Sequence, residues 1–207
     1  MPVPVSVSDS KAGPILATSR LILRPFDEMD RAPFHALNTH PLVVESLGST
    51  PTRAESDDMV DRYSAEMARE GWGLWAVAEG GDGAPFVGMV GLHRVRPELP
   101  CAPAVEIGWR LHPDTWGRGY ATEAAAAALA FGFEEAALAE IVAFTTTLNT
   151  RSQAVMERLG MRRDEAGDFE HPSVPEGSLL RRHVLYRATA ATAPDDGESH
   201  GASSVSP

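Results

Sequence analysis

The sequence predicts a single α/β domain, and three observations carry that prediction. A run at 105–111 alternates apolar and polar residues, and a Gly-rich turn and an Ala-rich helical stretch follow it directly. A second strand-to-helix step repeats that order over 141–159. Ahead of both, two apolar runs flank Gly80-Gly81-Asp82-Gly83, a composition suited to the tight turn of an antiparallel hairpin.

Taken in chain order, Leu21-Ile22-Leu23 reads as a short strand, followed by a helix opening near Asp27 to Asp30, where carboxylates accept bonds from free amides. Pro33 is tolerable only in its first turn. Thr52-Arg53-Ala54-Glu55 has the spacing of a capping box, and Met59, Tyr63 and Met67 then recur every four residues until Gly71 ends the helix. Leu74 to Glu79 and Phe86 to Val95 form the hairpin. In Val105 to Leu111 the alternation places Glu106, Gly108 and Arg110 on one face of a strand. A turn at Trp116 to Ala121, a helix over about 122–136, a strand at 141–146, a helix over 150–159 closed by Gly160, and a last strand at 183–187 complete the series. Residues 15–188 make the domain. Residues 1–14 and 189–207, rich in Ser, Ala, Pro and Gly, are expected to be disordered arms, because they carry few apolar groups to offset the entropy of ordering.

Composition narrows the function. With 43% hydrophobic and 23% charged residues and no apolar run long enough to cross a bilayer, the chain is expected to be soluble and not to act at a membrane. The start, MPVPVSVSDSKAGP, has neither the basic region nor the apolar stretch of a secretory leader, so the cytoplasm is the default location. A formal charge of −11 argues against nucleic acid as a partner. A cationic acceptor is the better match, although acidity also serves solubility and part of it lies in the tail at Asp195, Asp196 and Glu198. The single cysteine, Cys101, has no internal disulfide partner and no basic or histidine neighbour in sequence to activate it. The seven histidines fall at no metal-ligand spacing, so no metal is expected. His171 and His183 flank a loop that either roofs an acceptor site or lies on the surface, and Trp72, Trp75 and Tyr186 either line the same opening or belong to the core.

The most informative string is Trp116-Gly117-Arg118-Gly119-Tyr120-Ala121-Thr122-Glu123-Ala124, which joins a strand to a helix. Glycines at 117 and 119 and a small Ala121 let the backbone come close to a ligand, and the first amides of the helix have no partners inside it. Hydrogen bonds to charged groups contribute about 1.5–3 kcal/mol each, so several such amides would anchor a pyrophosphate. The third glycine of a dinucleotide fingerprint and the Gly-Lys-Ser/Thr of a P-loop are both missing. A plain tight turn is the other reading of the same residues.

With Glu106-Ile107-Gly108-Trp109, then the string at 116–124, then Asn149-Thr150-Arg151-Ser152 followed by Leu159-Gly160-Met161, the chain resembles the GCN5-related N-acetyltransferase (GNAT) superfamily, in the branch of the RimJ and RimL acetyltransferases, over residues 17 to 188. The resemblance implies a mixed, strongly bent sheet flanked by helices, in which the parallel strands 105–111 and 141–146 splay to admit the pantetheine arm of acetyl-coenzyme A. It implies that the backbone around Leu111 pairs with that arm, that Trp116, Gly117, Arg118, Gly119, Tyr120, Ala121 and Thr122 hold the pyrophosphate mainly through main-chain donors, and that Asn149 and Ser152 lie beside the cofactor. An N-acetyltransferase acting on an amino acid, a small amine or a protein N-terminus follows. A non-catalytic acyl-coenzyme A sensor with the same fold is the alternative, and the family leaves room for a homodimer.

Acetyl transfer requires a neutral amine, whereas a lysine with a pKa of about 10.4 keeps its proton at neutral pH. Glu106 is the candidate base, directly or through water, and pairing with Arg110 or a surface cation is its alternative. Ser152 is the candidate proton donor to the leaving thiolate or else a helix cap, with Asn149 and Met156 on the same helical face. Met156 stands where the resemblance implies a tyrosine in many relatives.

Overall fold

The computed structural model describes residues 5–10, 12–80 and 83–190. Ten strands form one sheet. It begins with β1 (Ser6–Ser10), β2 (Gly13–Ala17) and β3 (Leu21–Arg24), each antiparallel to the next. The first two revise the expectation of a disordered arm over 1–14. Val5 packs against the core and the Trp75 indole donates to the Pro14 carbonyl at 2.8 Å, contacts that tie the described residues 5–10 and 12–14 to the sheet. Residues 1–4 and 191–207 lie outside the described residues, and with them most of the tail expected at 189–207.

A 3-10 turn at Glu28–Asp30 leads into α1 (Arg31–Thr39) and α2 (Pro41–Leu47). The turn carries its own capping box: Asp27 accepts from the Met29 amide at 2.8 Å, and Asp30 accepts from the Asp27 amide at 2.9 Å. α2 is too short for periodicity to announce it; His40 ends α1 and caps α2, whose Pro41 occupies the first turn. α3 (Arg53–Glu70) starts at the expected box, with Thr52 and Glu55 each accepting from the other's amide, and stops at Gly71 with φ 75°. Its Val60, Met59 and Tyr63 pack on Phe26, Phe34 and Phe86, with the Phe26 and Phe34 rings meeting edge to face at 5.4 Å.

β4 (Leu74–Glu79) and β5 (Phe86–Arg94) form the hairpin, and β6 (Val105–Leu111) lies antiparallel to β5 with Gly91 opposite Gly108. α4 (Tyr120–Glu134) packs against β5 and β6 through Ala124, Ala125 and Ala128, all fully buried. Small side chains let this helix sit close to the sheet. At Gly132 even a β-carbon would meet Ile141 Cδ1 at 2.7 Å.

β7 (Glu140–Thr146) runs parallel to β6, and the two pair only at Glu106 and Val142. Beyond that point they separate. α5 (Thr150–Arg158) follows β7; the two-residue strands β8 (Arg162–Arg163) and β9 (Phe169–Glu170) and the long β10 (Arg182–Thr189) then close the edge, with β10 antiparallel to β7 from His183 to Thr189. The result is a mixed sheet with one parallel pair among the described residues, and that pair opens into a wedge.

Candidate acetyl-donor and acceptor site

The wedge is the floor of a cavity of about 2000 Å³, lined by β6, the starts of α4 and α5, the inward side of α3, and His171 and His183. Past Glu106, the edge of β6 that faces β7 has no ladder partner, so its peptide groups are available to a ligand with amides of its own. Leu111 lines this edge, and its carbonyl accepts the Trp116 indole N–H at 2.8 Å.

At the end of β6 the chain turns through Gly117 (φ 75°) and Gly119 (φ 80°), values that favour glycine, and Gly119 caps α4 without a side-chain bond. The first bond closing onto the helix runs from the Glu123 amide to the Gly119 carbonyl at 3.0 Å, which leaves the amides of Tyr120, Ala121 and Thr122 without acceptors in the helix. A β-carbon added at Gly117 would meet nothing within 4 Å. Gly117, Gly119, Tyr120, Ala121 and Thr122 all line the cavity. Open space before a helix N-terminus with unpaired amides fits a pyrophosphate.

The side chains of this loop serve a different purpose. Arg118 and Tyr120 both bond to Glu79; Tyr120 lines the cavity and Arg118 does not. The Tyr120 and Arg118 donors hold the Glu79 carboxyl below its usual range. The loop is fastened from below by Glu123, which is 6% exposed and accepts from the Thr18 hydroxyl at 2.6 Å, the Ser19 hydroxyl at 3.0 Å, and the Arg20 amide at 3.0 Å and Nε at 2.6 Å. Burial opposes ionisation of Glu123, but these donors prevail and lower its pKa. Arg20 also donates to the Arg118 carbonyl at 2.9 Å.

At the start of α5, Asn149 is the cap, accepting from the Ser152 amide at 3.1 Å. Ser152 therefore does not cap the helix. Both residues line the cavity beside Met156. Arg151 lies over the Trp116 ring at 4.6 Å, which links this helix to the phosphate-loop side.

On the opposite face of β6, Glu106 Oε2 lies 3.3 Å from His93 Nε2, and its side chain is 12% exposed. Burial raises its pKa to about 8. His93 Nδ1 is 3.3 Å from the Arg94 carbonyl, which accepts only, so Nδ1 carries the hydrogen and Nε2 presents a lone pair to Glu106. One proton between the two groups satisfies both, and burial lowers the pKa of His93 accordingly. Arg110 does not pair with Glu106; it donates to Asn38 Oδ1, and Asn38, fully buried, reaches Ser56 Oγ at 3.5 Å.

The structure sorts the remaining sequence-level candidates. Trp72, His171 and His183 line the cavity, while Trp75 and Tyr186 lie in the core. Phe144, Phe169, His171 and His183 form one ring cluster, with the two imidazoles 4.9 Å apart. Burial, with Glu106 nearby, raises the Cys101 thiol above its usual range, the wrong direction for a nucleophile. Sequence reasoning missed His93, Asn38 and the orientation of Arg110. The alternation at 105–111 announced the Arg110 face, but the partners come from β5, α1 and α3, and no local pattern connects those segments.

Known proteins share these features. The model of the acetyltransferase (GNAT) domain family matches residues 20–162. FsC-acetyl coenzyme A-N(2)-transacetylase of Aspergillus fumigatus is 32% identical over 181 residues, covering 82% of this chain and 75% of that protein. A GNAT-family acetyltransferase from Bacillus anthracis superposes with a TM-score of 0.69 at 28% identity, covering 84% of this chain and 98% of its own. RimJ of Mycobacterium smegmatis, solved in complex with coenzyme A disulfide, shares the fold with a TM-score of 0.63 at 23% identity, covering 94% of this chain and 90% of that one. No helix among the described residues is long and apolar enough to cross a membrane, and no cluster of His, Cys, Asp or Glu among them is suited to hold a metal ion. With the splayed pair, the glycine turn and a family match over most of the domain, the chain belongs to the GNAT acetyltransferases and is an acyltransferase by fold and kinship.

Proposed function

We propose that this protein transfers the acetyl group of acetyl-coenzyme A to the nitrogen of a primary amine by direct attack in a ternary complex. The observation that carries the proposal is Glu106, a carboxyl on the splayed strand with a pKa raised to about 8 and a histidine at 3.3 Å. A base of that strength suits an ammonium group that must shed a proton near neutral pH. The A. fumigatus relative, named for transfer from acetyl coenzyme A to an N(2) position, supports nitrogen as the acceptor atom.

The thioester supplies the activated acetyl group. The amine nitrogen forms the new bond to the carbonyl carbon, the carbon–sulfur bond breaks, and the amine's surplus proton goes to Glu106, directly or through water. Its neighbour His93, 30% exposed, relays that proton from Glu106 Oε2 toward solvent. The second proton, which the nitrogen loses as the carbon–sulfur bond breaks, passes through the Ser152 hydroxyl, beside the cavity at the start of α5, to the departing thiolate, so that the serine is restored in the same step; Met156, one helical turn on, has no proton to give. Asn149 holds that turn of the helix in place. The main chain at 117–122 secures the pyrophosphate, and the open edge of β6 near Leu111 takes the pantetheine amides.

The test combines calorimetry with coenzyme A and a thiol-release assay with acetyl-coenzyme A over a panel of amines and peptides. Binding together with release that depends on an amine supports the proposal. Binding without acetylation of any amine would identify an acyl-coenzyme A sensor, and absence of binding would remove both readings.

A further inference from the structure

The cavity does not share the charge of the molecule. Seven arginines and four glutamates line it, in a chain of formal charge −11. The cleft wall is therefore cationic, and the acidic surface is no guide to what enters. Several of these arginines are matched: Arg94 reaches Glu70 at 2.7 Å, Arg69 reaches the same carboxylate at 3.1 Å, and Arg96 lies 3.4 Å from Glu98.

Arg110 differs from them. It stands in the middle of the sheet, on the same face of β6 as Glu106 and Gly108, and no carboxylate among the described residues lies within ion-pairing distance of it. Its side-chain bond goes to the neutral Asn38, which is held in turn by Ser56. Arg110 is half-buried, and even partial removal of a guanidinium from water without a counter-charge has a cost that an arginine cannot escape by losing its proton. The fork of donors on Arg110 also exceeds what one amide oxygen accepts, and Arg110 lines the cavity.

We propose that Arg110 binds a carboxylate carried by the acceptor itself, so that the acceptor class is a small amino acid, with amine and carboxylate a few atoms apart. The inference rests on the acetyl-transfer reading above and specifies its substrate. Successive residues on one face of a strand lie about 6.6 Å apart, so Glu106 and Arg110 stand two steps, about 13 Å of backbone, apart with Gly108 midway, a span that the two side chains and the acceptor share. Gly108 keeps the ground between them low: a β-carbon there would touch His93 Nε2 at 3.8 Å and no other side chain or backbone within 4 Å. An acceptor lying over Gly108 presents its amine toward Glu106 and its carboxylate toward Arg110, where a planar carboxylate accepts two parallel N–H bonds. A polyamine would place a second positive charge against the guanidinium instead. The cationic acceptor suggested by net charge is thus the disfavoured one.

The experiment compares glycine, β-alanine and 4-aminobutanoate with their carboxamides as acceptors, using wild-type protein, Arg110→Gln and Arg110→Lys. The wild type is expected to favour the acid over its amide by about tenfold or more in kcat/KM, the scale of one charged contact. Arg110→Gln should remove that preference by raising the acceptor KM, with the KM for acetyl-coenzyme A unmoved, and Arg110→Lys should recover part of it. Acetylation with no preference for the acid overturns this inference and leaves the transferase reading intact. Acetylation of no amine at all overturns the transferase reading instead. The anion site is then judged by titrating the wild-type protein, saturated with coenzyme A, with N-acetylglycine and N-acetylglycinamide: tighter binding of the acid supports it, and equal binding refutes it. That titration also decides the matter if Arg110→Gln does not fold.

Discussion

The two ends of the cavity are built by different means. From Leu111 to Thr122 the end proposed for the donor offers peptide groups: an unpaired strand edge, two glycines with positive φ, and helix amides without acceptors. The face proposed for the acceptor offers side chains, with Glu106 and Arg110 from β6, His93 from β5, Asn38 from α1 and the imidazoles at 171 and 183. Main-chain recognition requires a certain backbone path, which a short contiguous string dictates. Side-chain recognition requires residues to meet across the fold, and each is free to change without altering the path. One fold thus keeps its donor while its acceptor varies.

Three changes test that division, beginning with the one of greatest effect. Glu106→Gln should lower kcat/KM by about 100-fold to 10,000-fold, the range of general base catalysis, with little change in coenzyme affinity. In the wild type the raised pKa means that Glu106 is protonated below about pH 8 and serves as a base only when ionised, so kcat/KM should climb with pH and level off above about 8. A thiol-release pH profile checks both points. If Glu106→Gln keeps the same rate and the same limb, the proton being lost is the amine's own and Glu106 is not the base.

Gly119→Val comes next. Its φ of 80° is strained for a branched residue by about 1–2 kcal/mol, and the β-carbon would lie 3.5 Å from Arg20 Nη2. Calorimetry should show coenzyme A binding weakened by about tenfold or more, beyond what the shift in thermal midpoint accounts for. Unchanged affinity would mean that the glycine serves only the turn. The smallest effect is expected from Tyr120→Phe, which removes the hydroxyl bond to Glu79 but no main-chain donor. Coenzyme affinity should move by less than about twofold, and a larger loss would show that the side chain contributes to the donor site after all.

The same division explains what could be read from the amino-acid sequence. The capping box at Thr52, the hairpin at 74–94, the strand at 105–111 and both strand-to-helix steps were legible because each rests on residues close in sequence. The alternation on β6 even placed Glu106 and Arg110 on a common face. It could not tell that Arg110 would turn to Asn38 and leave Glu106 to His93, since those partners arrive from segments 72 and 13 positions away. The N-terminal strand was missed for the same reason, because its order comes from Trp75 and the distant core rather than from its own composition. Which of Asn149 and Ser152 caps α5 turns on a side-chain orientation that the local pattern leaves open, and the bond from the Ser152 amide to Asn149 Oδ1 gives the cap to Asn149.

The corner at Thr18, Ser19 and Arg20 lies next to strand β3, yet it holds the first turn of α4 through Glu123 and steadies the Arg118 carbonyl through Arg20. On the proposed donor site, grip on the coenzyme is therefore adjustable from the Ser19 hydroxyl, which does not line the cavity. A serine-to-alanine change there would loosen the platform proposed for the diphosphate, and the weakening would surface as poorer donor affinity in a protein whose glycine loop is intact.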